Sequence, residues 1–236
     1  MKQMIWIFCL AMMALIAAGA QLDRQSRYVP SLAQYVPYPF RGFAQKHFAA
    51  DALATEEPEW ALIQAQRLVA ARPLPAEHIR MLALAQAVSD ENSGALATFQ
   101  FAAQRGWRDP IVQDTMLRLA IAAEDPGESA RRFAALIANP SSDLELLKEL
   151  GPGALNSAAS RQAFAVILAQ SERWHSTFLR RGAQSLPPQI FAAVTQIAAE
   201  RGARFECDQL RLAARIMGED SEDAGSTLVN ITAKRC

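Results

Sequence analysis

Apolar residues recur at spacings of three and four along most of the chain, as in Leu62, Ala65, Leu68 and Val69, or Ile79, Leu82 and Ala83. That is the period of one helix face, and no stretch shows the strict alternation of a half-buried strand. The pattern predicts helices over 42–54 and 58–72, 76–88 and 94–105, and 110–123 and 127–138. Punctuation agrees with these limits. Pro75 and Pro110 stand where a first helical turn accepts proline, Asp109 precedes Pro110 as an N-cap, and Pro73, Gly106 and Pro140 close the preceding helices.

The same arrangement returns with a period of about 34 residues. Met81-Leu82, Leu84-Ala85, the polar break Ser89 to Gly94, Ala95, Phe99 and Ala102 are answered by Met116-Leu117, Leu119-Ala120, the break Glu124 to Gly127, Ala130 and Phe133. One period earlier stand Phe48-Ala49, the break Glu56 to Glu59, Ala61, Ala65, Leu68 and Pro73. Two antiparallel helices cannot bury both apolar faces alone, so such units stack and share a continuous core.

Residues 42–142 resemble the tetratricopeptide repeat family, on the alanine opening each second helix (Ala61, Ala95, Ala130), the later large residue (Phe99, Phe133) and the closing Pro73. Ala83 stands where that family commonly has glycine, Gln86 replaces its usual tyrosine, and Trp107 takes the place of the second closing proline. The resemblance implies an all-α fold, an α-α superhelix in which the first helix of each pair lines a groove for a protein partner. Carried onto this chain, the groove positions are Glu77, Arg80 and Leu84 in the second repeat and Val112, Thr115 and Leu119 in the third. No basic clamp for a terminal carboxylate is among them.

After Pro140 the period blurs. Residues 143–218 are expected as degenerate helical repeats: a short helix over 144–150 broken by Gly151-Pro152-Gly153, then helices over 158–170, 172–181, 188–201 and 205–217, the last ended by Gly218. From Glu219 the acidic run Glu219-Asp220, Glu222-Asp223 opens a polar C-terminal tail over 219–236.

The other end reads differently. Lys2, the uncharged run Met4 to Ala17 and the small residues Ala18-Gly19-Ala20 are the parts of a signal peptide over 1–20. The apolar run is also close to the ~20 residues that span a bilayer, and Tyr28, Tyr35 and Tyr38 follow it as an interfacial belt would. Signal peptide and uncleaved anchor are therefore both open. Residues 21–41, with Tyr-Val-Pro twice and then Pro39, form a spacer or an N-terminal cap. Both readings put the remainder outside the cytoplasm, periplasmic or anchored in the inner membrane and facing the periplasm.

Charge adds little, since 24 Lys and Arg balance 24 Asp and Glu. Such a balance gives no field for nucleic acid. Cys9 lies in the apolar run, leaving Cys207 and Cys236, which an oxidising compartment would join, the other reading being two separate thiols. His47, His78 and His175 fit no metal-ligand spacing, and no phosphate loop or nucleophile elbow is present, so no catalytic residue, metal or cofactor is expected. Glu172-Arg173-Trp174-His175 is the one place where acid, base and aromatic crowd together, and it reads as a helix start.

The function expected is therefore a non-enzymatic scaffold or adaptor of the bacterial cell envelope, holding an unidentified protein partner in its groove. The alternative is a helical module associated with a peptidoglycan- or polysaccharide-processing enzyme or export complex. Membrane contact, in either case, runs only through an uncleaved N-terminal segment.

Overall fold

The computed structural model describes residues 2–55 and 57–236. Met1 of the expected signal and Glu56 of the first polar break lie outside the described residues. Among the described residues the structure is all helical, with no strand, and sequence neighbours pack as pairs. The chain forms two compact units, Met1–Gly106 and Trp107–Cys236, whose boundary falls inside the 42–142 stretch of repeats.

The first unit begins with α1 (Lys2–Ser26), which runs unbroken past the 20/21 limit of the expected signal. Its apolar part is bare: Met4, Ile5, Trp6, Ile7, Phe8 and Leu15 are each more than 60% exposed. Its last turns are built into the fold. Gly19 lies so close beneath Phe40 that a Cβ there would stand 2.7 Å from the ring. Leu22 packs on Ala33, Val36 and Ala44. The chain then makes two short 3-10 turns, Pro30–Tyr35 and Tyr38–Phe40, as its proline density requires.

α2 (Ala44–Ala54) has no capping side chain of its own. Asp23 of α1 supplies one: its Oδ1 accepts from the Gly42 and Ala44 amides at 3.0 and 2.9 Å and its Oδ2 from that of Phe43 at 3.0 Å. A carboxylate there satisfies orphan donors and suits the positive helix end. α3 (Pro58–Ala71), α4 (Ala76–Val88) and α5 (Asn92–Arg105) follow, with α2 on α3, α3 on α4 and α4 on α5. Ala49, Ala52, Ala61, Ala65, Ala83 and Ala85 are buried between them and let the helices approach closely.

The second unit contains α6 (Pro110–Ala122), α7 (Pro126–Ala138), α8 (Leu144–Ala154), α9 (Ala158–Ala169), α10 (His175–Ser185), α11 (Pro188–Glu200), α12 (Cys207–Asp220) and α13 (Glu222–Arg235). Local capping sets several of these starts. Asp109 accepts from the Ile111 amide at 3.1 Å, Asp125 from that of Glu128 at 2.9 Å, and Ser157 and Ser160 form a reciprocal capping box. In layers, α7 packs on α9, α9 on α11 and α11 on α13, while α6, α8, α10 and α12 touch in the same succession. Phe133, Phe164, Phe178 and Phe191 run through the core at centroid separations of 5.9, 5.6 and 5.2 Å, all fully buried.

One turn recurs in both units. Asp90 and Glu124, one period apart, both take positive φ, at 61° and 52°, just after α4 and α6. Each is followed by an amide that bonds six residues back in the count that includes both ends, Glu91 to Gln86 O and Asp125 to Ala120 O. This is the Schellman closure of a helix, and it sets the reversal into the next one.

Three expectations are corrected. Pro152 does not break α8, which continues to Ala154, because a proline so near the C-terminus forfeits little of the helical ladder. Gly218 does not end α12, which runs on to Asp220. The polar tail is a helix: Ala224, Leu228 and Ile231 form a buried stripe, Ser221 caps its start, and the acidic pair Glu222 and Asp223 occupies the first turn, where the helix dipole favours it. Cys207 and Cys236, at the open ends of the α12–α13 pair, are joined as a disulfide with Cα atoms 5.8 Å apart.

Candidate partner-binding face

The predicted groove positions lie on two helices in two different units, α4 and α6. On α4, Glu77 is half-buried and bridges to Lys46 of α2 at 2.8 Å, with Arg80 3.9 Å away on the same helix. Burial opposes ionisation of Glu77, but the hydrogen bond and charge of Lys46, helped by Arg80, outweigh it and hold the carboxyl below its ordinary value. Leu84 is half-buried. Neighbouring His78 is buried with Nδ1 2.9 Å from the Arg72 carbonyl, and that burial pulls its pKa below the usual histidine value.

On α6, Val112 is a correction. It is fully buried, because its face of the helix is the core face shared with Met116. Thr115 spends its hydroxyl on the Ile111 carbonyl at 3.0 Å, and Leu119 is 42% exposed. Beside them Arg118 binds Asp114 on its own helix and Glu149 on α8, each at 2.8 Å. First helices of successive pairs are thus joined by ion pairs in both units, α2 to α4 and α6 to α8.

Within the second unit a concavity lies between α10 and α12. Leu179 and Ala213 form its floor, Leu212 and Ile216 stand on one wall, and Thr177, Arg180 and Gln184 on the other, enclosing about 490 Å³. Leu212 is 49% and Ile216 37% exposed. They sit one turn apart on α12, next to the stripe Leu210, Ala213, Ala214 and Met217 that faces the core. The trough is apolar, and its rim carries one cation and several uncharged hydrogen-bonding groups. The sequence carried this signal as a second apolar stripe on α12, but the repeat register that drew attention to α4 and α6 has faded there.

In the Glu172 to His175 cluster, Glu172 and Arg173 are exposed while Trp174 and His175 turn toward the core. Trp174 sits edge-on to Phe164 and Phe178 at 5.7 and 6.2 Å. His175 is buried, with Nδ1 2.9 Å from the Arg204 carbonyl and Nε2 2.7 Å from that of Leu168. Among the described residues, no group of three His, Cys, Asp or Glu is placed to hold a metal ion.

No family model, curated protein or solved structure matches this chain.

Proposed function

We propose that the chain is a non-enzymatic interaction scaffold of the cell envelope, a tetratricopeptide-like solenoid that holds a segment of a protein partner against its first-helix layer. The observation that carries this reading is the α10–α12 trough, where Leu212 and Ile216 are exposed beside Leu179 and opposite Arg180 and Gln184. Two aliphatic knobs one turn apart match the anchors of an amphipathic helix or an extended apolar segment. The recurring turn at Asp90 and Glu124 supports the repeat.

Two features support the envelope. α1 is long and apolar enough to cross a membrane, with a mean hydropathy of 2.1 over its best window, as a signal sequence or an anchor would be. A disulfide persists in oxidising compartments. Flanking charge does not decide orientation, since Lys2 precedes the apolar run while Arg24 and Arg27 follow it, and the disulfide is what favours the outward side.

The test is site-specific photocrosslinking in the native host. A benzophenone side chain at Leu212 or Ile216 is expected to capture a discrete envelope protein, and one at Gln196 on α11, in the other layer, is not. Leu212→Asp should abolish the adduct formed from Ile216. Equal labelling from both layers, or none from the trough, would remove the proposal.

A further inference from the structure

The bare apolar helix and the folded first unit are one continuous object, and that continuity has a consequence for the segment between them. The join does not occur at a flexible linker. Gly19 is buried under Phe40, Leu22 lies in the small core with Ala33, Val36 and Ala44, and Asp23 caps α2. His47 Nε2 sits 2.9 Å from the carbonyl of Ser26, the last residue of α1. A cut after Ala20 would pass through this assembly, removing the glycine that seats Phe40 and leaving six residues of helix to carry Leu22, Asp23 and Ser26.

Length then fixes where the loop sits. Fifteen residues from Met4 to Ala18 rise about 22 Å as a helix, short of a ~30 Å hydrocarbon core. A short span draws its flanks down to the lipid or thins the bilayer, so Phe40 and the two 3-10 turns around Gly19 have no slack to stand clear. Their surface has the chemistry of that layer. Tyr28, Tyr35 and Tyr38 are 70%, 67% and 61% exposed. Arg27 lies over the Tyr28 and Phe43 rings, Arg67 over Tyr38, Arg72 over Phe43 and Arg41 over Phe48. The acid among these groups, Asp23, is turned inward to the α2 amides. Tyrosine rings and arginines at a span's end are what headgroups and phosphates hold.

We infer that α1 is kept as an anchor and that Tyr28–Phe40 is a collar seated in the lipid headgroup layer, clamping the first unit against the bilayer. The inference rests on the envelope reading only for the presence of a membrane and is independent of the trough. All three tyrosines of the chain lie in this collar, so uniform 3-fluorotyrosine labelling reports on nothing else. The full-length chain is purified from host membranes, its intact mass measured, and the labelled protein placed in phosphatidylethanolamine–phosphatidylglycerol nanodiscs. Retention of the residues before Gln21, with loss of the fluorine signals when a lipid carries a nitroxide near its headgroup and little loss with a water-soluble gadolinium chelate, is the expected result. A chain beginning at Gln21, or one released from membranes by alkaline carbonate, overturns the anchor. A retained α1 with fluorines quenched by gadolinium and untouched by the lipid nitroxide overturns the collar. Neither failure would alter crosslinking from Leu212, which tests the trough separately.

Discussion

Gly218 on α12 and Gly225 on α13 meet backbone to backbone: a Cβ at residue 225 would stand 2.6 Å from the Gly218 α-carbon and 3.2 Å from its nitrogen. The contact is not symmetric, since a Cβ at residue 218 would find the Gly225 α-carbon at 3.7 Å, an ordinary separation. Gly225→Ala must therefore push two helices apart, and overpacking of that kind costs roughly 1–3 kcal/mol. Gly218→Ala, inside a helix and without a clash, should be neutral or stabilise by up to about 1 kcal/mol. Urea unfolding followed by circular dichroism separates the two, and equal effects would show that the close crossing does not exist.

Asp23 is the cap of a helix it does not belong to. Asp23→Ala leaves three amides of Gly42, Phe43 and Ala44 without their acceptor, and loss of a capping side chain costs about 0.5–2 kcal/mol. The upper end is expected here because Asp23 is only 7% exposed and water replaces it poorly. Amide exchange at residues 42–44 should accelerate by roughly tenfold or more, while α12 and α13 keep their protection. Unchanged exchange at those three amides would mean that α1 is not coupled to α2.

How far all this was legible depended on whether a signal was local. The helices from α2 to α7 lie close to where periodicity and proline placed them, because Asp109-Pro110 and Asp125-Pro126 write their own starts. The cap of α2 was invisible, its residue lying on another helix. Gly151-Pro152-Gly153 looked like a break because composition does not say that Gly151 must sit against Leu186 and Phe133 at the end of α8. The acidic run from Glu219 looked like a solvated end, although Leu228 and Ile231 beyond it kept a helical spacing whose partners are α11 and α12. Val112 was misplaced for a related reason: the offset borrowed from the repeat named a helix correctly but not the face that the core would claim.

His78 gives the first unit a pH dependence of definite sign. Its folded pKa lies below the ordinary 6.5, mainly through burial, so in the window beneath that value the unfolded chain binds the extra proton. Stability from the neutral ring is complete above 6.5 and declines as pH falls toward the folded pKa. Glu77 acts in a lower window, its contribution being complete above 4.5 and lost as pH drops through the still lower folded value. His78→Gln, which can still hydrogen-bond to the Arg72 carbonyl, should flatten the stability curve just below pH 6.5 and leave the more acid limb unchanged. The measurement is the difference in urea midpoint between the two proteins across pH. A difference that does not vary with pH would mean that His78 titrates alike in both states.

The Cys207–Cys236 bond closes the open end of the α12–α13 pair across a sequence separation of 29 residues. In the chain-entropy view, restricting a loop of that size in the unfolded state is worth about 3–4 kcal/mol. What the bond holds in the folded state is local, since the opposite end of the pair is already fixed by the tight turn at Ser221 and the Gly218–Gly225 crossing. Cys207→Ser with Cys236→Ser should therefore lower the urea midpoint without unfolding the core around Phe133, Phe164 and Phe178, and α13 should be the element that loses protection. Its last turn is expected to open first, because Ile231, at 7% exposure, is the last of the buried residues along α13. The same double variant separates two roles for the trough: Leu212 and Ile216 lie on α12, and their floor includes Leu179 of α10. If crosslinking from Ile216 survives loss of the disulfide, α10 and α12 suffice for binding. Disappearance of the adduct while α12 stays protected from exchange would instead make the stapled α13 part of the partner's surface.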